Sequence, residues 1–124
     1  MIRKRCRSWR PTVKKALGAP QSEDYSFYHA PAFIIASNTR GYANGMADCA
    51  CAMENMMLAA HSMGLGTVWI NQLKDTCGDA GVRKLLTAFG VPEDHDVYAC
   101  CAIGTALGGA KAPDRKAGAT AIVE

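Results

Sequence analysis

Apolar runs of two different periods alternate along the chain, separated by breaks rich in glycine and proline. Ala32-Phe-Ile-Ile-Ala-Ser37 follows Pro31 and precedes Asn38, Arg40 and Gly41, the pattern of a short buried strand. Asn38 to Gly45 has loop chemistry. A long helix then begins near Met46 or Ala47, with Asn44 or Asp48 as candidate caps. Met46, Cys49, Met53, Met56, Ala60 and Met63 recur at helical spacing, and Ala50, Ala52, Leu58 and Ala59 fill the remaining faces. Gly64 and Gly66 stop that helix, and Thr67-Val-Trp-Ile-Asn71 is β-branched and aromatic, hence strand. Asp79 caps a second helix from Ala80 to about Phe89, apolar at Val82, Leu85, Leu86 and Phe89, with Gly90 and Pro92 ending it. Glu93-Asp-His-Asp96 reads as a polar turn. Val97 to Ile103 is apolar on both faces and therefore a central strand. A weaker helix is predicted over Pro11 to Gly18, a loop from Gln21 to His29, and a last short strand over Ala119 to Val123.

This order predicts an α+β, α/β-layered fold: a small central sheet flanked by helices. A helix apolar on every side cannot face water, so the long one needs the sheet on one side and another cover opposite. In a chain of 124 residues that cover is expected to be a second copy of the chain. The methionine stripe itself reads as core or interface rather than as a cofactor box.

Composition sharpens this only in places. The length suits one domain with one core, and 49% hydrophobic with 20% charged residues is ordinary for a globular protein. No apolar run reaches the roughly 18 residues of a membrane span. The segment 47–63 comes nearest, but Asp48, Glu54, Asn55 and His61 interrupt it. Met1-Ile-Arg-Lys-Arg-Cys-Arg has basic residues without an apolar stretch behind them, so the expected location is cytoplasmic. Seven of the 14 Lys and Arg fall before residue 16 with no acid among them, leaving a mildly acidic body. A basic arm could touch nucleic acid, yet Trp9 is its one aromatic and no recognition motif accompanies it. The arm reads as a solvated terminus.

The six cysteines do not form a disulfide framework or a metal site. Cys49 and Cys51 lie about 200° apart around a helix, and Cys100 and Cys101 point to opposite faces of a strand. No pair has zinc-knuckle spacing, so reduced, buried thiols are expected. Gly64-x-Gly66 lacks the third glycine of a dinucleotide fingerprint and follows no strand. His29, His61 and His95 are not assigned catalytic roles. His61, inside the apolar helix, is expected in core or interface.

In one order along residues 27–124 stand Ala30-Pro31-x-x-Ile, Asp48…Asn55-x-x-Leu-Ala-Ala, Gly64-Leu-Gly66-x-x-Trp69-Ile, Gly90-x-Pro92 and Ala102-x-Gly104. This series resembles the nitroreductase family of flavoproteins, its clostridial-type branch especially. The resemblance implies a homodimer with the long helix at its centre and FMN in clefts between subunits. It further implies hydride transfer from NAD(P)H through the flavin to nitroaromatics, quinones or similar small-molecule acceptors. By the family pattern Trp69, Asn71 and Gln72 would meet the flavin ring, and Arg115, with Lys116 second, its phosphate. No side chain is needed as general acid or base, and no metal is implied.

The opening of the family pattern is reduced. Arg5-Cys-Arg7-Ser8-Trp9-Arg10-Pro11 resembles the opening Arg-Ser-x-Arg-x-aromatic motif only loosely. The helices and Gln-Pro-Trp segment that should follow have no counterpart before Pro31. Residues 1–26 are therefore expected to be a poorly matched arm on a single domain. The competing expectation is a non-catalytic, flavin-poor dimeric remnant that acts as a binding protein.

Overall fold

The computed structural model describes Thr12, Ala16, residues 27–109, residues 111–114 and Gly118. A short 3-10 turn at Phe27–His29 leads into β1 (Ala32–Thr39), and the long helix α1 (Gly45–Ser62) follows. Then come β2 (Leu65–Ile70), a five-residue helix α2 (Gln72–Thr76), α3 (Ala80–Ala88) and β3 (His95–Thr105). The strand predicted over Ala119 to Val123, most of the helix predicted over Pro11 to Gly18 and the Gln21–Ser26 part of the predicted loop lie outside the described residues. Thr12 and Ala16 are helical.

The sheet has the order β1-β3-β2, with β3 antiparallel to both neighbours. The central place of β3 explains why it is apolar on both faces, since each face is roofed by helix. Cys100 and Ala102 join Ile70, Leu73, Val82, Leu86 and Val97 on the side covered by α2 and α3. Cys101 and Ala99 join Cys49 and Met53 on the side covered by α1. Neighbouring Cys100 and Cys101 thus enter different cores, as strand alternation requires. Met53, Leu73 and Leu86 are fully buried. Each such side chain stabilises the fold by about 1.5–3 kcal/mol.

Alternation is broken once. Ala36 pairs with Ala99 but Ser37 pairs with Val97, so Tyr98 is the extra residue of a bulge. Its effect is that Tyr98 and Ala99 both turn toward α1, while Val97 and Cys100 turn the other way. Gly45, the first residue of α1, lies under the Tyr98 ring, where an added Cβ would stand 3.0 Å from Cε2.

Both long helices end on left-handed glycines. Gly64 has φ +74° and Gly90 has φ +90°. At the end of α3, Gly90 N–H donates to Thr87 O at 3.0 Å and Val91 N–H to Leu86 O at 3.1 Å, the paired bonds of a Schellman motif. Val91 and Leu86 then share one core. The start of α3 is capped by Asp79, whose carboxylate accepts from Gly81 N–H at 2.9 Å and Val82 N–H at 3.1 Å.

Several expectations need correction. Asn44 does occupy the cap position of α1, but its side chain makes no capping bond, and Asp48 lies inside the first turn. Glu93 to Asp96 is not wholly a turn, because His95 and Asp96 already pair with Thr39 and Asn38. Of the two places expected for His61, the core of the single chain is ruled out, because it is exposed there, as are Met46 and Met63 at the two ends of the methionine stripe. The middle of the stripe, from Cys49 through Met53 to Ala60, faces the sheet.

Candidate functional site

The end of β2 gathers the amide groups that the sequence singled out. Trp69 is on the α1 side of the sheet, packed against the Cys49, Met53, Ala99 and Cys101 cluster, and Asn71 stands just past the strand end. The indole Nε1–H of Trp69 donates to Asn71 Oδ1 at 2.8 Å. Asn71 also stands at the cap position of α2 yet makes no capping bond with its side chain. Its one amide oxygen is already turned to the indole. Its main-chain oxygen accepts from Asp75 N–H at 3.2 Å and so holds the first turn of α2.

Gln72 is displaced from the expected place. It is the first residue of α2 rather than a second amide at the strand end, and it is half-buried while Asn71 is exposed. Its carbonyl accepts from the Thr76 hydroxyl at 2.7 Å. Ile70 pairs with Cys100, the last pair of β2 with β3, and Asn71 leaves the sheet there to start α2. At the same end of the sheet Asn38 Nδ2 donates to Asp48 Oδ2 at 3.5 Å, tying β1 to the first turn of α1. Arg115 and Lys116 lie outside the described residues.

Two other polar clusters are structural. The Arg83 Nε–H donates to Cys77 O at 3.1 Å, and its guanidinium lies 3.6 Å from Asp96, whose carboxylate also meets Arg40 at 3.1 Å. These contacts fasten the loops around α3 to the start of β3. The Ser37 hydroxyl and His95 Nδ1 are hydrogen-bonded at 3.1 Å across β1 and β3.

Three thiols are shifted toward the protonated form. Burial, with Cys77 and Cys101 nearby, pushes the Cys100 thiol up to about 12. Burial likewise raises Cys101, and burial followed by the Asp48 charge raises Cys49. Such groups are poor nucleophiles and poor metal ligands. Among the described residues, no group of three or more His, Cys, Asp or Glu is placed to hold a metal ion. No helix among them is long and apolar enough to cross a membrane.

Along the sheet-distal side of α1, Ala47, Cys51, Ala52, Leu58 and Ala59 are exposed in the single chain, interspersed with exposed Asp48, Glu54, Asn55 and His61. Leu58 is 59% exposed and Met63 at the helix end is 73% exposed. The helix thus has one face buried on the sheet and one open face that mixes apolar and polar side chains.

Comparison with known proteins places this geometry. The model of the nitroreductase family matches residues 7–105, a stretch that takes in Arg7-Ser8-Trp9-Arg10. A crystal structure of a nitroreductase with bound FMN from Bacteroides fragilis is 42% identical to the chain, with a TM-score of 0.88. That match covers 97% of this chain and 71% of the other. A nitroreductase with bound FMN from Desulfitobacterium hafniense is 16% identical at a TM-score of 0.80, over 98% of this chain and 71% of the other, a likeness of fold alone. Two curated proteins, from Methanothermobacter thermautotrophicus and Archaeoglobus fulgidus, are provisionally named NADH dehydrogenase/NAD(P)H nitroreductase. They are 46% identical over 48 residues and 35% identical over 57, which is 37% and 46% of this chain. The matched stretches span 22% and 31% of those two proteins.

Proposed function

The chain belongs to the nitroreductase family, and from this we infer that it is an FMN-dependent oxidoreductase working as a homodimer. The observation that carries the reading is the 42% identity to an FMN-bound nitroreductase, spread over 97% of the chain. In this reading NAD(P)H is the reductant, and the acceptors are nitroaromatics, quinones or similar small molecules. Residues 1–124 act as one domain with residues 1–26 as a basic arm. Free thiols at all five described cysteines suit a reducing compartment such as the cytoplasm.

The donor set at the end of β2 fits a flavin. An isoalloxazine edge is rich in carbonyl oxygens and unprotonated ring nitrogens, which need hydrogen-bond donors. Asn71 supplies them: its oxygen is engaged by Trp69, so its exposed NH2 is free to donate. Gln72, at the start of α2, lies beside it in the chain. Arg115 and Lys116 are assigned the phosphate, for which a guanidinium is well shaped. When bound, FMN supplies the two-electron chemistry between nicotinamide and acceptor. The chain's own task is to hold and orient that group. No side chain among the described residues is assigned a proton-transfer role.

The bare face of α1 supports the dimer. Burying the exposed part of Leu58 against a partner would contribute about 1–2 kcal/mol. The test is anaerobic. Protein loaded with FMN and freed of excess cofactor is mixed with NADH or NADPH, and the visible flavin band is followed. Bleaching by one nicotinamide, and recovery on adding a nitroaromatic or a quinone, is the expected result. A colourless protein that retains no FMN would overturn the reading in favour of a flavin-poor remnant.

A further inference from the structure

We propose that Trp69 is a positioning residue that locks Asn71 into a donor-only orientation and so sets which chemical groups the end of β2 can bind. The inference rests on the reading above that Asn71 faces the flavin. An indole nitrogen can donate but never accept. The 2.8 Å contact between Trp69 Nε1 and Asn71 therefore requires the amide oxygen on the indole side, whatever else surrounds it. Rotating the amide by half a turn would set two donors against each other.

The donor itself is fixed. Trp69 pairs with Cys101 in the ladder, and its ring packs against the cluster of Cys49, Met53, Ala99 and Cys101 under α1. An unlocked asparagine offers a ligand either oxygen or NH2 and so tolerates donors and acceptors alike. A locked one offers only N–H. The site then selects acceptor groups, such as ring carbonyls and unprotonated ring nitrogens, and rejects ligands that present N–H or O–H there. The lock also explains why Asn71 does not cap α2 although it holds the cap position.

The test is a double-mutant cycle on FMN affinity, read by flavin fluorescence, with Trp69→Phe, Asn71→Ala and the pair. Trp69→Phe keeps an aromatic ring in the core and removes the donor together with part of the indole's volume, and near-ultraviolet circular dichroism checks that the fold is kept. Loss of one neutral hydrogen bond should weaken FMN binding about threefold to tenfold in Trp69→Phe. If Trp69 acts through Asn71, the pair binds no more weakly than Asn71→Ala alone. Unchanged affinity in Trp69→Phe, or effects that multiply in the pair, would overturn the proposal. A second readout needs no flavin. The Trp69 indole proton, assigned by its loss in Trp69→Phe, should exchange slowly with solvent in the wild-type protein and faster in Asn71→Ala. Equal exchange in the two would refute the lock. Wild-type protein that takes up no FMN would refute the site's ligand, while the indole signal still decides the lock.

Discussion

Gly104 lies in the central strand, directly paired with Gly66 of β2, and the two glycines should respond differently to one added methyl group. At Gly104 a Cβ would stand 2.9 Å from Pro31 Cδ and 3.4 Å from Cγ. A proline ring is bonded twice to its own backbone and cannot swing aside. Pro31 immediately precedes Ala32, which pairs with Ile103, so relief requires shifting the start of β1. Overpacking of this kind costs about 1–3 kcal/mol. The lost backbone freedom of the unfolded chain returns about 0.4–1 kcal/mol. Gly104→Ala should therefore lose roughly 1–2 kcal/mol net. For a domain of this size that lowers Tm by about 4–8 °C. At Gly66 the same methyl would meet Ala106 Cα at 3.4 Å, an ordinary contact. Gly66→Ala should therefore be neutral to about 1 kcal/mol more stable than wild type. The assay is calorimetry of the three proteins at one fixed concentration, because assembly also shifts Tm. A Gly104→Ala protein that melts at or above wild type, or equal losses at both positions, would refute the packing argument.

Other consequences follow from caps, thiols and the bare helix face. Asp79→Ala removes two bonds to the start of α3 and should cost about 1 kcal/mol in a urea titration, with Asp79→Asn losing less. The Cys100 thiol keeps its proton in the folded state up to about 12, whereas an ordinary thiol ionises near 9.0. The unfolded chain thus releases that proton first, and the stability it contributes is full below pH 9.0 and lost as pH rises toward 12. Wild type should lose stability on alkalinisation more steeply than Cys100→Ala, by at most about 1.4 kcal/mol per pH unit; parallel pH profiles would contradict this. Cys51 is exposed on α1 while Cys49, Cys77, Cys100 and Cys101 are buried. Alkylation followed by peptide mass spectrometry should modify Cys51 ahead of those four in dilute protein. Protection of Cys51 should grow with protein concentration as the second copy covers that face, and concentration-independent labelling would contradict the dimer.

The larger features of the fold were legible because they follow from periodicity. A strand apolar on both faces belongs in the middle of a sheet with two roofs, and β3 lies there with Cys100 and Cys101 in separate cores. Asp79 and Gly90 marked the two ends of α3 because capping and left-handed backbone are local chemistry. α2 was missed because five residues give too few turns to show a period, and only Leu73 and Thr76 are buried. That oversight moved Gln72 from a strand end to a helix start. The bulge at Tyr98 was also invisible, since one extra residue is defined by the partner strand rather than by its own sequence. At the site, the family pattern singled out Trp69 and Asn71 separately, and only the structure joins them by a hydrogen bond. The exposed side of α1 mixes Leu58 and several alanines with Asp48, Glu54, Asn55 and His61, so its weakly patterned sequence marked the buried stripe less clearly than a clean polar face would have.

Size-exclusion chromatography of the purified protein incubated with FMN, monitored at once for flavin absorbance and for mass, tests the central claim most directly. The account predicts a yellow species of twice the chain's 13.2 kDa, carrying flavin absorbance and protein in a single peak. A colourless monomer, with all flavin eluting as free cofactor, would contradict it.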